Sequence, residues 1–342
     1  MTNKAAQGVI NKSKSFHFLA HLLLLLSFFL PQNNFADTSA DARSDSVTLT
    51  DKKKGARFHL AVMYSADSSL QTKIAERLPE LLTQSNVQLS MITVTSKIPP
   101  EAGRPDLIVV IGSTNVEKAS QQFATIDKLF IVSDPSDYSQ DSHNDSQTAV
   151  LYMTQPYCRQ IQFIRQLNDN WQTISYFNDI NKPIDDSPLK QCAAKYGLKT
   201  YPVSVTDTTR LTDNLKIALN HSDLILALPD KDIYNRHTVK NILLTSYRYR
   251  KPVISFSRNF VTAGALASIH SNVDQIASSI GALIEQYLAN DRRFTEAISY
   301  PRSFNIDINE QVFKALDINI PDIEKIKQVI EKQYLENTRS NL

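Results

Sequence analysis

The residues best placed to do chemistry are small polar ones that follow short apolar runs. Tyr64, Ser65 and Asp67 close one run, FHLAVMY; Gly112, Ser113 and Thr114 close another, DLIVVI; Ser133 and Asp134 follow a third, KLFIV. Asn178, Thr206, Pro229, Asp230, Ser257 and Arg258 stand in the same relation to later runs. Apolar runs of this length read as buried strands, and in an open parallel sheet ligands bind beyond the carboxyl ends of the strands. Hydroxyls, an amide and carboxylates so placed suit a small polar or zwitterionic ligand. Ser113 and Thr114 also open an expected helix, where free N–H groups favour a carboxylate. The same residue types are favoured at N-caps and turns, which is the plain alternative for each of them.

Motifs for covalent or cofactor chemistry are missing. The seven glycines stand at 8, 55, 103, 112, 197, 264 and 281, so no phosphate-binding loop, dinucleotide fingerprint or G-x-S-x-G elbow exists. The seven histidines form no H-E-x-x-H; His59 and His237 have no partner at ligand spacing. Asp185–Asp186 and Asp230 with Asp232 are paired acids, a pattern that general acid–base catalysis uses but that solvated loops show more often. An enzyme is therefore not expected, nor a bound cofactor or metal. The two cysteines, Cys158 and Cys192, lack a zinc-type spacing. They form either a disulfide, as an exported protein allows, or two buried thiols.

The elements that must position these residues follow from periodicity. Short β-branched runs alternate with longer amphipathic stretches, which argues for βαβ units and a mostly parallel sheet. Expected strands are 58–64, 87–95, 106–111, 128–132, 149–153, 173–177, 200–205, 223–228, 253–256 and 304–308. Expected helices are 67–84, 115–124, 156–168, 187–196, 211–220, 234–249 and 273–288, with short helices to the end. The runs DLIVVI and DLILAL, at 106–111 and 223–228, share an acidic start and a polar finish, as two similar lobes would. The fold class expected is α/β, two doubly wound lobes with mostly parallel sheets. Residues 57–150 plus 258–342 form a discontinuous first lobe and 151–257 the second.

Length and balance agree with this division. The chain has 342 residues, 42% hydrophobic and 21% charged, enough for two packed domains. Its net charge is +2. Setting aside the three lysines of residues 1–36 leaves 34 basic against 35 acidic residues, so no basic excess draws in nucleic acid. Lys12 and Lys14 precede an apolar stretch from Phe16 to Leu30, then Pro31 and Ala36. That is the pattern of a signal peptide over 1–36, with an uncleaved anchor as the alternative, and it predicts a periplasmic protein. The apolar stretch is shorter than the roughly 20 residues that span a bilayer. Residues 37–56, rich in Asp, Ser, Thr and Lys, read as a flexible leader.

The C-terminal half is more specific. Residues 252–268 read PVISFSRNFVTAGALAS, and 301–316 read PRSFNIDINEQVFKAL, with Ile320-Pro321-Asp322 following. Together with the Leu228-Pro229-Asp230 turn, the order and spacing of these segments resemble the ABC-transporter substrate-binding family with a type I periplasmic fold. The likeness covers about 220–325. Asp134-Pro135 also survives from the family's segment before the second lobe, which is otherwise replaced by polar residues and Met153-Thr154-Gln155-Pro156-Tyr157. The resemblance implies two lobes closing around a small organic solute, an amino acid in some members, and an ABC permease as partner. A monomer is expected, with no nucleic-acid partner. The alternative on the same fold is a sensor or protein-partner module with a degenerate cleft.

Overall fold

The computed structural model describes residues 46–48, 58–82, 87–93, 104–133, 138 and 147–340. The expected signal peptide, Asp134 and most of the leader lie outside them. Within the leader, Ser46–Thr48 is a strand, not flexible chain.

The first lobe runs β1 (Ser46–Thr48), β2 (Phe58–Tyr64), α1 (Ser69–Leu81), β3 (Val87–Thr93), β4 (Leu107–Ile111), α2 (Val116–Gln122), β5 (Asp127–Val132) and β6 (Thr148–Tyr152). Its sheet has the order β1-β3-β2-β4-β5-β6-β12, where β12 is Ile298–Ser299. All neighbours are parallel except β1, which runs antiparallel to β3. Every residue of β4 is 0% exposed, as a central strand with both faces covered requires.

The second lobe runs α3 (Tyr157–Leu167), β7 (Thr173–Asp179), α4 (Ser187–Lys195), β8 (Lys199–Val205), α5 (Leu211–His221), β9 (Leu224–Leu226), α6 (Val239–Arg248), β10 (Val253–Ser255), α7 (Arg258–Ala263) and β11 (Ala267–His270). The chain then visits lobe 1 as α8 (Val273–Ala289) and β12, and returns as β13 (Asn305–Ile308), α9 (Glu310–Leu316) and α10 (Ile323–Ser340). The second sheet has the order β13-β11-β10-β9-β7-β8, with only β13 antiparallel to its neighbour. Cys158 on α3 and Cys192 on α4 form a disulfide.

The expected lobe boundaries need correction. Residues 258–342 do not all return to lobe 1. β11 and β13 extend the second sheet, and Val312, Phe313, Leu316, Ile326 and Ile330 pack into its core. Only α8 and β12 join lobe 1, because the stripe Ile276, Ala277, Ile280, Ile284 and Tyr287 buries itself against β2, β4 and α1 residues. The expected strand 149–153, which straddles the expected boundary at 150, forms β6 and lies wholly in the first sheet, between β5 and β12. Smaller differences have local causes. α6 starts at 239, not 234, because the chain from Asp230 is held in side-chain-bonded turns. Asp230 Oδ1 accepts from Asp232 N at 2.8 Å, and Thr238 Oγ1 donates to Ile233 O at 2.6 Å. Within the segment 252–268, α7 gives way to β11 at Gly264, whose φ of 121° suits glycine. The last helix, α10, has 18 residues where short helices were expected.

The chain crosses between lobes at 153–156, 271–272 and 300–304. Ser271 Oγ donates to Ser303 O at 2.7 Å, joining the second crossing to the third. Arg159, 4% exposed at the start of α3, donates to Pro301 O at 2.9 Å and to Gln155 Oε1. Its guanidinium also lies over the Phe304 ring, 5.1 Å from the centroid.

Candidate functional site

The carboxyl ends of both sheets meet at a cavity of about 290 Å³. Lobe 1 lines it with Ser113 and Ser133; lobe 2 lines it with Lys182, Pro229, Asp230, Lys231, Tyr234 and Phe256. A larger polar recess of about 540 Å³ lies beside Arg258, Asp307 and Lys314, but it is built by lobe 2 alone.

Of the residues the sequence singled out, Ser113, Ser133, Pro229 and Asp230 face this cavity together. The others are occupied elsewhere. Tyr64 packs against the core of lobe 1, and burial, then the charge of Glu76, raises its pKa. It shares a strand face with Leu60 and Val62, so alternation turns it inward. The Ser65 backbone N–H donates to Gln71 Oε1 at 2.8 Å. Gly112 lies under the Gln71 side chain, and exposed Thr114 donates weakly to Asn115 Oδ1 at 3.4 Å. Asn178 Oδ1 accepts from Ile184 N at 3.2 Å and holds the loop after β7. Thr206 is exposed at the end of β8, the edge strand, one position too far out. Ser257 is the N-cap of α7, and its neighbour Phe256 takes the cavity wall.

The sequence reading missed Lys182, Lys231, Tyr234 and Phe256. Tyr234 is the most telling. It sits in an aromatic cluster, with ring centroids 6.2 Å from Phe256 and Phe177 and 6.1 Å from Phe260. Its hydroxyl is buried without a hydrogen-bond partner. Burial, then the charge of Asp230, pushes its pKa far up, so the group is a neutral O–H. An orphaned hydroxyl costs free energy unless something else completes it. Beside it the acids converge: one carboxylate oxygen each of Asp179, Asp230 and Asp232 lie within 4.8 Å of one another. Lys182 Nζ approaches Asp232 at 3.9 Å, and Asp179 Oδ1 is taken by Asn181 N at 2.8 Å. The lobe-2 wall thus offers both signs of charge next to an aromatic surface.

A Ser–His–Asp chain does occur on β11 and β13. Ser268 Oγ lies 3.3 Å from His270 Nδ1, and His270 Nε2 lies 3.4 Å from Asp307 Oδ2. Ser268 is 0% exposed, so its oxygen cannot meet a substrate, and the group is structural.

Two lobes of parallel sheet, joined by three crossings over a shared cavity, define a binding-protein architecture. The sequence matches the family described as ABC transporter substrate binding protein over residues 155–329, just over half of the chain. The protein belongs to that family. Its members are non-catalytic, and the role is extracytoplasmic solute binding for an ABC import system. Solved structures carry the same fold. An ABC domain from Streptococcus pneumonia in complex with L-Trp is 16% identical, covering 78% of this chain and 97% of that one, with a TM-score of 0.55. A conserved domain protein from Vibrio cholerae is 18% identical over 78% and 96%, with a TM-score of 0.55. The ligand-free, open form of a substrate binding protein with adhesive properties from Clostridium difficile is 15% identical over 78% and 96%, with a TM-score of 0.60. No functionally curated protein matches the chain by sequence. Among the described residues, no helix is long and apolar enough to cross a membrane.

Proposed function

We propose that the protein is the periplasmic solute-binding component of an ABC importer, exported by residues 1–36, and that its solute is a small amino acid-like zwitterion with an apolar side chain. The single observation that carries this reading is the interlobe cavity, where Asp230 and two lysines stand beside Tyr234 and Phe256. Asp230 suits an ammonium group, Lys182 or Lys231 a carboxylate, and the two rings an apolar or aromatic body. The Streptococcus pneumonia relative, in complex with L-Trp, has a solute of this kind. Ser113 and Ser133 reach the solute from the facing lobe, so closure adds contacts that the open form lacks. A permease that recognises the closed form is the partner this implies.

Thermal unfolding of residues 37–342 against amino acids and small organic solutes tests the reading. A solute at 100 times its Kd adds about 2.7 kcal/mol, several degrees for a protein of this size. A shift confined to one chemical class supports the proposal and names the class. No shift across a broad library sinks it and favours a partner-binding module with a degenerate cleft.

A further inference from the structure

Among the described residues, lobe 1 lines the cavity with two hydroxyls, Ser113 and Ser133, and Gly112, which precedes Ser113, lies under the side chain of Gln71. This residue sits in the first turn of α1, whose N-cap Ser68 accepts from Gln71 N. Its side chain reaches back across the ends of β2 and β4. Gln71 Oε1 accepts from the Ser65 backbone N–H at 2.8 Å and from Asn115 Nδ2 at 3.3 Å. Asn115 is 1% exposed, and its orientation is fixed by a second bond, Nδ2 to Ile111 O at 2.7 Å. The carboxamide lies directly on Gly112. A Cβ there would stand 2.1 Å from Gln71 Nε2 and 2.6 Å from Cδ. Gly112 also has φ of 95°, so backbone and neighbour both reserve the position for glycine. Two N–H donors from two strand ends therefore converge on one oxygen, at the edge where such sheets hold ligands. That oxygen belongs to the protein itself.

We propose that Gln71 is a specificity-determining plug. The Ser65 N–H and the Asn115 amide form a subsite for a carboxylate oxygen, and the Gln71 carbonyl fills it. An amide oxygen carries only partial charge, so a true carboxylate makes the stronger, charge-assisted bonds there. With the subsite filled, these two donors are closed to a second carboxylate, and the cleft selects monocarboxylic solutes over dicarboxylic ones. The selection rests on the solute-binding reading above; the subsite does not.

Two variants test the subsite without any solute from the cleft. Gln71→Glu places a carboxylate in it. This protein is expected to melt at or above wild type at pH 7. The introduced carboxylate, held below its ordinary pKa of about 4.3, stabilises above that pH, and the gain is lost as pH falls through the lowered value. A Gln71→Glu protein that melts several degrees below wild type at pH 7 overturns the proposal. Gln71→Ala empties the subsite, so tens of millimolar formate or acetate, against chloride at equal ionic strength, should raise its melting temperature by a few degrees and leave wild type unmoved. A folded Gln71→Ala protein indifferent to both anions also overturns it; if that variant does not fold, Gln71→Glu decides alone. Once a solute is known, Gln71→Ala should shift the ranking at least tenfold toward dicarboxylic solutes, and an unchanged ranking removes the specificity role. Success with both variants alongside an empty solute screen would leave the plug standing and the transport reading fallen.

Discussion

Gln155 Nε2 donates to Ser271 Oγ across 2.7 Å, joining two residues 116 positions apart on the first and second crossings between the lobes. Gln155 is 2% exposed, and its own backbone carbonyl accepts from Gln160 Nε2 at 2.6 Å. Through Ser271 the chain of bonds continues to the third crossing. The three crossings are therefore tied to one another by side-chain hydrogen bonds.

Truncating that tie should be costly. Gln155→Ala removes the side-chain bonds to Ser271 and to the buried Arg159 guanidinium, which costs about 1–3 kcal/mol. Urea unfolding measures the loss; a midpoint equal to wild type would show that the crossings are held by other contacts.

The disulfide offers a second test. Cys158 and Cys192 close a loop with a sequence separation of 34, and such a bridge contributes about 2–4 kcal/mol, largely by restricting the unfolded chain. Reduction, or Cys158→Ala with Cys192→Ala, should lower the melting temperature by roughly 3–6 °C. Lobe 2 should respond first, because both cysteines lie in it.

Tyr234→Phe should split stability from binding. The ligand-free protein loses only an unpartnered hydroxyl, so it should be as stable as wild type or up to about 1 kcal/mol more stable. Solute affinity should fall about five- to tenfold if the hydroxyl is completed by the solute. Calorimetric titration beside thermal unfolding reads both effects, and equal affinity in the two proteins would detach Tyr234 from the site.

His270 sets a pH dependence of known sign. Burial holds its pKa below the ordinary 6.5; the Asp307 carboxylate opposes that shift and the Arg258 guanidinium adds to it. The unfolded chain takes up this proton near 6.5, before the folded protein does, so stability is full above that pH and falls as pH drops toward the lowered folded value. His270→Gln should remove this step. The difference in melting temperature between pH 7.5 and 5.5 should therefore be smaller in the variant than in wild type.

Gly112→Ala should be destabilising by about 1–3 kcal/mol from backbone strain alone. Contact with Gln71 adds to that, so Gln71→Ala in the same chain should recover part of the loss. The two changes are expected to be less than additive by 0.5 kcal/mol or more, by the usual coupling of neighbours.

Much of this was legible in the residues. Strand-end reasoning named Ser113, Ser133, Pro229 and Asp230, which line the cavity, because a fully apolar run such as Leu107–Ile111 fixes where its strand stops. It failed at Tyr64, although the alternation of Leu60, Val62 and Tyr64 held the information. Tyr234 and Lys182 lay beyond its reach. They stand a few residues past their strands, in turns whose direction is set by single bonds such as Tyr234 N to Asp230 O at 2.7 Å. The lobe boundary failed for a related reason: the apolar stripe of Val273–Ala289 says that the helix packs on something, not on which sheet.

The path of the chain has one more consequence. A ribosome releasing this protein from its N-terminus delivers β2 to β6 early, yet that sheet lacks its edge strand and its covering helix until Ile298–Ser299 has emerged. The second sheet waits longer, for β13 and the two helices after it. Neither half can finish alone, so the nascent chain stays without a completed core until nearly all of it has been made. Late, long-range contacts of this kind form slowly, so the chain stays open longest where its two sheets wait for their last strands.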